Sequence, residues 1–143
     1  MVKKDSIYKG DNSKDLPFSF NEEVVEVFEN MIGRSVPGYA SSLRLIQTFT
    51  VKYFQKNSKC YDLGCSLGAV TQILLEATEE KEGKIIAIDN SKAMIDSCKQ
   101  RFVDLIESGR VEFIEQDVTN TDISNASIVV INFVLQFLNV SER

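Results

Sequence analysis

Nine consecutive residues constrain this chain more than any others: Tyr61-Asp62-Leu63-Gly64-Cys65-Ser66-Leu67-Gly68-Ala69. A short apolar run from Lys59 to Leu63 stops at a glycine, and the chain then enters a helix-forming run that carries Val70, Ile73 and Leu74. A strand that breaks at a glycine turn and continues as a helix opens a ligand site at the strand's carboxyl end. Small residues let the backbone approach a ligand closely, and the first helical turn leaves N–H groups without intrahelical partners. The dinucleotide fingerprint G-x-G-x-x-G is not met, because Ser66 stands at the second glycine position.

The rest of the chain repeats the strand–helix rhythm. Lys84 to Ile88 reads as a second strand ending at Asp89, and a following helix puts Met94, Ile95, Cys98, Phe102, Leu105 and Ile106 on one side. Val111 to Ile114 reads as a third strand and Ile128 to Phe133 as a fourth. Continuous apolar strands separated by amphipathic helices predict an α/β, Rossmann-like fold, with a parallel sheet and helices on both faces. Upstream, residues 1–17 read as a flexible arm closed by Pro17, and Ser19 with Glu22 has the spacing of a capping box. The helix it starts carries Val24, Val25, Phe28, Met31 and Ile32 on one face, and Gly33 is placed to end it. Arg34 to Tyr39 forms a turn-rich link around Pro37-Gly38, and a second helix from about Ala40 to Phe54 offers Leu43, Ile46, Phe49 and Tyr53 to the core. A single domain is expected over 18–143. A fourth strand left as an open, apolar edge is unfavourable, so the domain is expected to be incomplete, truncated after that strand with its C-terminal strands missing.

Composition narrows the chemistry. The 143 residues contain no histidine, which excludes Ser-His-Asp triads, histidine bases and His-ligated zinc. Cys60, Cys65 and Cys98 form no C-x-x-C pair, so neither a disulfide framework nor a metal site is expected, and Cys60 and Cys98 read as small buried hydrophobes. A net charge of −5 argues against nonspecific binding to nucleic acid or to an anionic membrane. The longest apolar stretch, Ile128 to Leu138, is broken by Asn132 and Gln136 and falls short of the ~20 residues of a membrane span. No signal-like segment is visible at the N-terminus, and a cytoplasmic location is expected.

Polar residues follow the predicted strands at positions where a ligand would lie. Asp89 can accept hydrogen bonds from two ribose hydroxyls, with capping of the next helix ahead of Ser91 as its structural alternative. Asn90 can pack against a planar base. Asp117 suits an exocyclic amine and the Val118 N–H a ring nitrogen, the alternative for Asp117 being a solvated loop acid. Asn132 interrupts an apolar strand, and a buried Asn needs a partner, either a ligand or a neighbouring loop. The local pattern D-x-G-x-x-x-G around Gly64, Cys65 and Ser66 resembles the S-adenosyl-L-methionine (AdoMet) site of class I methyltransferases, where the first glycine meets the methionine part of the ligand.

Longer strings carry a more specific resemblance. Arg34-Ser35-Val36-Pro37-Gly38-Tyr39, the glycine turn, Ile85-Ile86-Ala87-Ile88-Asp89-Asn90-Ser91, Asn125-Ala126-Ser127 and Asn132-Phe133-x-Leu135-Gln136-Phe137-Leu138 are similar to carboxy-S-adenosyl-L-methionine synthases, from about Phe18 to Arg143. The resemblance implies a Rossmann-like AdoMet-dependent methyltransferase fold and AdoMet as substrate, with no metal. It implies prephenate as second substrate and carboxy-AdoMet and phenylpyruvate as products. Prephenate would fragment to carbon dioxide and hydroxide, a base would remove a proton from the sulfonium methyl, and the ylide would capture the carbon dioxide. The product would serve a separate enzyme making the 5-oxyacetic acid modification of wobble uridine in tRNA, so this chain would touch no nucleic acid itself. By position, the resemblance assigns ligand contacts to Tyr39, Gly64, Cys65, Ser66, Asp89, Asn90, Asp117, Val118 and Asn132. Tyr39, after a Pro-Gly turn, can fold over the ligand and supply a hydrogen bond, and Arg34 is a cation close by. No catalytic residue is assigned. The family is dimeric, and an arginine that contacts the transferred carboxylate is absent from this chain, so reduced activity is expected of it. An ordinary AdoMet-dependent methyltransferase and a non-catalytic AdoMet-binding subunit would share the same core site.

Overall fold

A computed structural model describes residues 27–143. The arm, the capping box, Val24, Val25 and the side chain of Phe28 lie outside the described residues. In chain order the elements are α1 (Phe28–Ser35), α2 (Tyr39–Tyr53), β1 (Lys59–Leu63), α3 (Ala69–Ala77), β2 (Lys84–Asp89), α4 (Lys92–Arg101), α5 (Val103–Glu107), β3 (Val111–Glu115) and β4 (Ala126–Val130), with single 3-10 turns at Glu79–Lys81, Val118–Asn120, Leu135–Phe137 and Val140–Glu142.

The strands form a parallel four-stranded sheet in the order β3-β2-β1-β4. Its central strands are buried along most of their length, as continuous apolar runs require. One face carries the main core, in which Cys60, Ile85, Ala87, Val111 and Phe113 meet Val70, Leu74 and Leu75 of α3 and Ile95 and Cys98 of α4. Leu43 and Ile46 of α2 and Leu105 and Ile106 of α5 pack on the same cluster, so α2 to α5 all lie on this face. The opposite face holds a smaller cluster of Tyr61, Leu63, Ile86 and Ile88. Cys60 and Cys98 are fully buried, as expected of small hydrophobes, and burial pushes the Cys60 thiol up to about 12.

Four boundaries differ from the sequence reading, each for a local reason. α1 runs past Gly33 to Ser35, because the real stop is Val36, held extended at φ −113° and ψ 99° by the proline that follows it. In α2 the buried row is Leu43, Ile46 and Thr50, while Phe49 and Tyr53 are each 53% exposed and contact one another. The helix has more apolar rows than its neighbours can cover, and Thr50 is accommodated by donating its hydroxyl to the Ile46 carbonyl at 2.8 Å. The single helix expected after Asp89 is divided at Phe102, whose backbone leaves helical geometry at φ −107° and ψ 25°. Its ring is drawn into the core, 5.4 Å from the Phe113 ring and against Gly68, where a Cβ would come within 2.8 Å of it. Finally, β4 is Ala126–Val130 rather than Ile128 to Phe133. Its last pairing is Val130 with Asp62, and two residues further β1 has turned away at Gly64, so nothing remains for Ile131 to Phe133 to pair with.

Candidate functional site

The chain steps from β1 outward to β2 and β3, then returns to lay β4 on the other side of β1. That reversal is where open parallel sheets form a ligand crevice at the strands' carboxyl ends. A cavity of about 640 Å³ occupies this position, within the roughly 300–1,000 Å³ of small-molecule sites. All nine residues expected to touch a ligand line it: Tyr39, Gly64, Cys65, Ser66, Asp89, Asn90, Asp117, Val118 and Asn132.

The glycine turn is held in place by β2. The N–H groups of Gly64 and Cys65 both donate to the Ile88 carbonyl, at 2.8 and 2.9 Å, and Gly68 N–H donates to the Cys65 carbonyl at 2.8 Å. Gly64 lies at φ +81°, a conformation L side chains rarely adopt. It also lacks room, because a Cβ there would stand 2.3 Å from a methyl of Val134. Ser66 takes φ +51° and presents its N–H to the Asp89 carboxylate, 2.8 Å from Oδ2.

Asp89 ends β2 and links two loops. Its Oδ2 accepts from Ser66 and its Oδ1 from the Ser91 N–H at 2.9 Å. Helix α4 is capped by Ser91, whose hydroxyl accepts from the Met94 N–H at 3.3 Å, so capping does not account for Asp89. Partial burial raises the Asp89 carboxyl above its ordinary range, against the pull of the two N–H bonds. Asp117 is exposed and opens the 3-10 turn after β3: its Oδ1 accepts from the Thr119 N–H at 2.8 Å and hydroxyl at 2.7 Å. The Thr119 hydroxyl and N–H hold this carboxyl below its usual range, and both bonds go to Oδ1. Val118 is the first residue of that turn, so its N–H has no partner within it.

Asn132 sits in the loop beyond β4 and is half-buried, not enclosed within a strand. Its side chain makes no hydrogen bond to the described residues, so the bond to a neighbouring loop is not formed. Asn90 is exposed at the rim. Cys65 is buried, and the adjacent Cys98 thiol together with burial pushes its thiol well above the ordinary range, which disfavours a nucleophilic thiolate. Arg34 is exposed and is not among the lining residues.

The structure adds residues that the sequence reading left out. Met31, Ile32 and Val36 line the cavity from α1 and its exit, and Phe133, Val134 and Gln136 line it from beyond β4. Beneath the glycine turn, Asp62 is 1% exposed and its Oδ2 accepts the Thr71 hydroxyl at 2.6 Å. Burial raises this carboxyl to about 7. An acidic residue within a buried strand was the available signal, but its partner lies on the next helix. The lining thus contains two surface-facing carboxylates, Asp89 and Asp117, and no Lys or Arg among the described residues. Acceptors at two strand ends, the Val118 N–H and an apolar wall suit a nucleoside. No group of three or more metal-ligating side chains occurs among the described residues.

The Rossmann-type sheet carries an acceptor at the end of β2 and a glycine turn after β1, and the chain belongs to the methyltransferase-domain family, whose model matches residues 61–143. Its curated relatives are more particular. The chain is 43% identical over 139 residues to the carboxy-S-adenosyl-L-methionine synthase of Vibrio vulnificus, covering 97% of this chain and 57% of the relative. It is 45% identical to that of Idiomarina loihiensis, covering 100% and 59%, and 48% identical to that of Photorhabdus laumondii, covering 87% and 49%. The chain therefore spans about half to three-fifths of these relatives. Among solved structures it resembles a candidate S-adenosyl-L-methionine-dependent methyltransferase of Methanococcus maripaludis, with a TM-score of 0.64 at 22% identity, covering 90% of this chain and 57% of that one. It also resembles the pyocyanin biosynthetic protein PhzM, with a TM-score of 0.57 at 15% identity, covering 80% and 36%. Both support the fold.

Proposed function

We propose that the crevice binds AdoMet as a substrate and that the protein acts as a carboxy-S-adenosyl-L-methionine synthase, with prephenate as the source of the carboxyl group. The observation that carries this reading is the convergence on one cavity of all nine positions that the family resemblance picks out. It is supported by 43–48% identity to relatives that bear the synthase name.

In this reading the adenine lies by Asp117 and Val118, and the ribose hydroxyls meet the Asp89 carboxylate. The two Asp89 oxygens each already hold one backbone N–H, which orients them and leaves lone pairs for the ribose. The methionyl end then rests on the glycine turn, beside Asn132. Positive sulfur makes the attached methyl acidic. The chain's contribution is to bind, orient and exclude water, since a carbanion beside sulfur survives only in a dry site. Atoms balance if prephenate leaves as phenylpyruvate, its lost carboxyl becomes the new carboxyl of AdoMet, and its hydroxide leaves as water with the methyl proton. No protein nucleophile is needed, in keeping with the raised Cys65 thiol.

Wider consequences belong to the same proposal: a homodimer in the cytoplasm, working on small molecules and supplying carboxy-AdoMet for tRNA wobble-uridine modification. No helix among the described residues is long and apolar enough to cross a membrane. Mass spectrometry of the small molecules released after incubation with AdoMet and prephenate tests the reading. AdoMet carrying an added carboxyl group is expected, at a lower rate than from the Vibrio vulnificus relative assayed beside it. S-adenosylhomocysteine and a methylated acceptor would establish a methyltransferase instead. Unchanged AdoMet alone, both from this chain and from this chain joined to the C-terminal part of the Vibrio vulnificus relative, while that relative forms product, would overturn the synthase assignment.

A further inference from the structure

The loop that follows β4 touches two other segments that line the crevice with consecutive residues. Val134 seats a methyl on Gly64, closer than any Cβ there would allow. Phe133, immediately before it, takes φ +57°, a left-handed region that disfavours a residue with a Cβ. This kink points neither residue into the core. Phe133 stays 37% exposed, lines the cavity, and sets its ring 6.1 Å from the Tyr39 ring at the start of α2, tilted by 37°. Backbone strain that places an aromatic ring on a cavity wall marks a position under functional constraint.

The sheet order decides which part of the ligand this wall meets. From β3 through β2 and β1 to β4 there are three strand spacings, about 14 Å in all. A ligand whose base lies at the β3 end therefore extends its sulfonium and methionyl chain toward the β4 end, where Tyr39 and Phe133 line the cavity. The described lining has no Lys or Arg to repel a cation there. An aromatic face attracts a desolvated cation and has no such attraction for a neutral thioether.

We infer that Phe133, held by its left-handed backbone and paired with Tyr39, is a specificity-determining residue that recognises the sulfonium cation and selects AdoMet over S-adenosylhomocysteine. The inference rests on the AdoMet reading above. Calorimetric titration of the native protein, Phe133→Leu and Phe133→Gly with AdoMet, S-adenosylhomocysteine and adenosine tests it. Phe133→Leu is expected to weaken AdoMet about tenfold while S-adenosylhomocysteine and adenosine, neither of which carries a sulfonium, stay within twofold. Phe133→Gly, which adopts the same φ without strain, is expected to show the same selective loss, separating the ring from the backbone. Tyr39→Leu probes the opposite side of the wall and is expected to behave alike if the Phe133 variants melt too low to titrate. Equal losses for AdoMet and S-adenosylhomocysteine, or unchanged AdoMet affinity, would overturn the inference. Failure of the native protein to bind either AdoMet or adenosine would instead sink the AdoMet reading, and this inference with it.

Discussion

At the β2–β3 end of the crevice, position is set by hydrogen bonds: Asp89 holds Ser66 and Ser91, and Asp117 holds Thr119, all within 2.7 to 2.9 Å. At the β4 end it is set by contact between side chains, with Val134 on Gly64 and Phe133 against Tyr39. The first end is directional and local, since most of these partners lie within two residues of the acid. The second depends on surfaces from α2, β1 and the loop after β4 meeting at close range. The same sheet also differs in burial between its ends. β2 is enclosed, whereas Val129 in β4 and Ile131 beyond it are 44% and 47% exposed. A hydrogen-bonded site tolerates changes in its neighbours' volume, while a packed one answers to a single methyl group.

The largest expected effect comes from adding that methyl. Gly64→Ala places a Cβ into Val134 and forces alanine to φ +81°. A loss of about 2–4 kcal/mol is expected from strain and overpacking together, with AdoMet binding abolished. Thermal melting and calorimetry check both effects. Adding Val134→Ala should restore the packing part of the stability and leave the φ part missing. A Gly64→Ala protein that melts and binds like the native one would break the contrast, because the β4 end would not be packed as described.

Next in size is Asp89→Asn, which keeps the shape and removes the charge. An affinity loss for AdoMet of roughly 10- to 100-fold is expected, from hydrogen bonds to a charged acceptor. Adenosine should lose as much, since the ribose is common to both. Comparing the two ligands sharpens the contrast, because a change at the β4 end should spare adenosine.

A smaller effect concerns pH. The Asp62 carboxyl is raised by burial from 3.8 to about 7, so the folded state holds its proton more tightly than the unfolded one. The sign follows: this stability is fully present below 3.8, is lost as pH rises toward about 7, and is flat above. Asp89 is raised as well and adds a slope of the same sign. Melting temperature measured across that window should fall with rising pH, and Asp62→Asn should flatten the fall without removing it. An unchanged slope in Asp62→Asn would mean that Asp62 does not hold this proton.

The smallest is Val129→Thr on the exposed side of β4. A shift within about 0.5 kcal/mol is expected, read by denaturant titration. A larger loss would show that this face is covered in solution.

Much of the hydrogen-bonded end was legible in advance. Asp89 follows an apolar run directly and Asp117 stands just beyond β3, and a carboxylate at a strand's carboxyl end has few structural uses. The packed end was legible only in part. Tyr39 and Asn132 stood out in the sequence. Phe133 looked like the last residue of an apolar strand, Asn132 looked buried within it, and Val134 drew no reading of its own. The stop of β1 at Gly64 was legible, but nothing local signals the register in which β4 pairs with β1, which leaves those residues unpaired. The same holds for Phe49 and Tyr53, whose helical spacing says that they share a row but not which row the sheet will cover.

The pattern along the chain thus determined the strand–turn–helix units, their parallel sheet, and the polar residues delivered to strand ends, because these depend on period and on near neighbours. The tertiary structure alone decided where β4 stops, which face of α2 is buried, that Asp62 finds its partner in Thr71, and that Phe133 turns its ring toward Tyr39. Each of those outcomes is a contact between segments distant in sequence, and packing at van der Waals range depends on where every other element has already been placed.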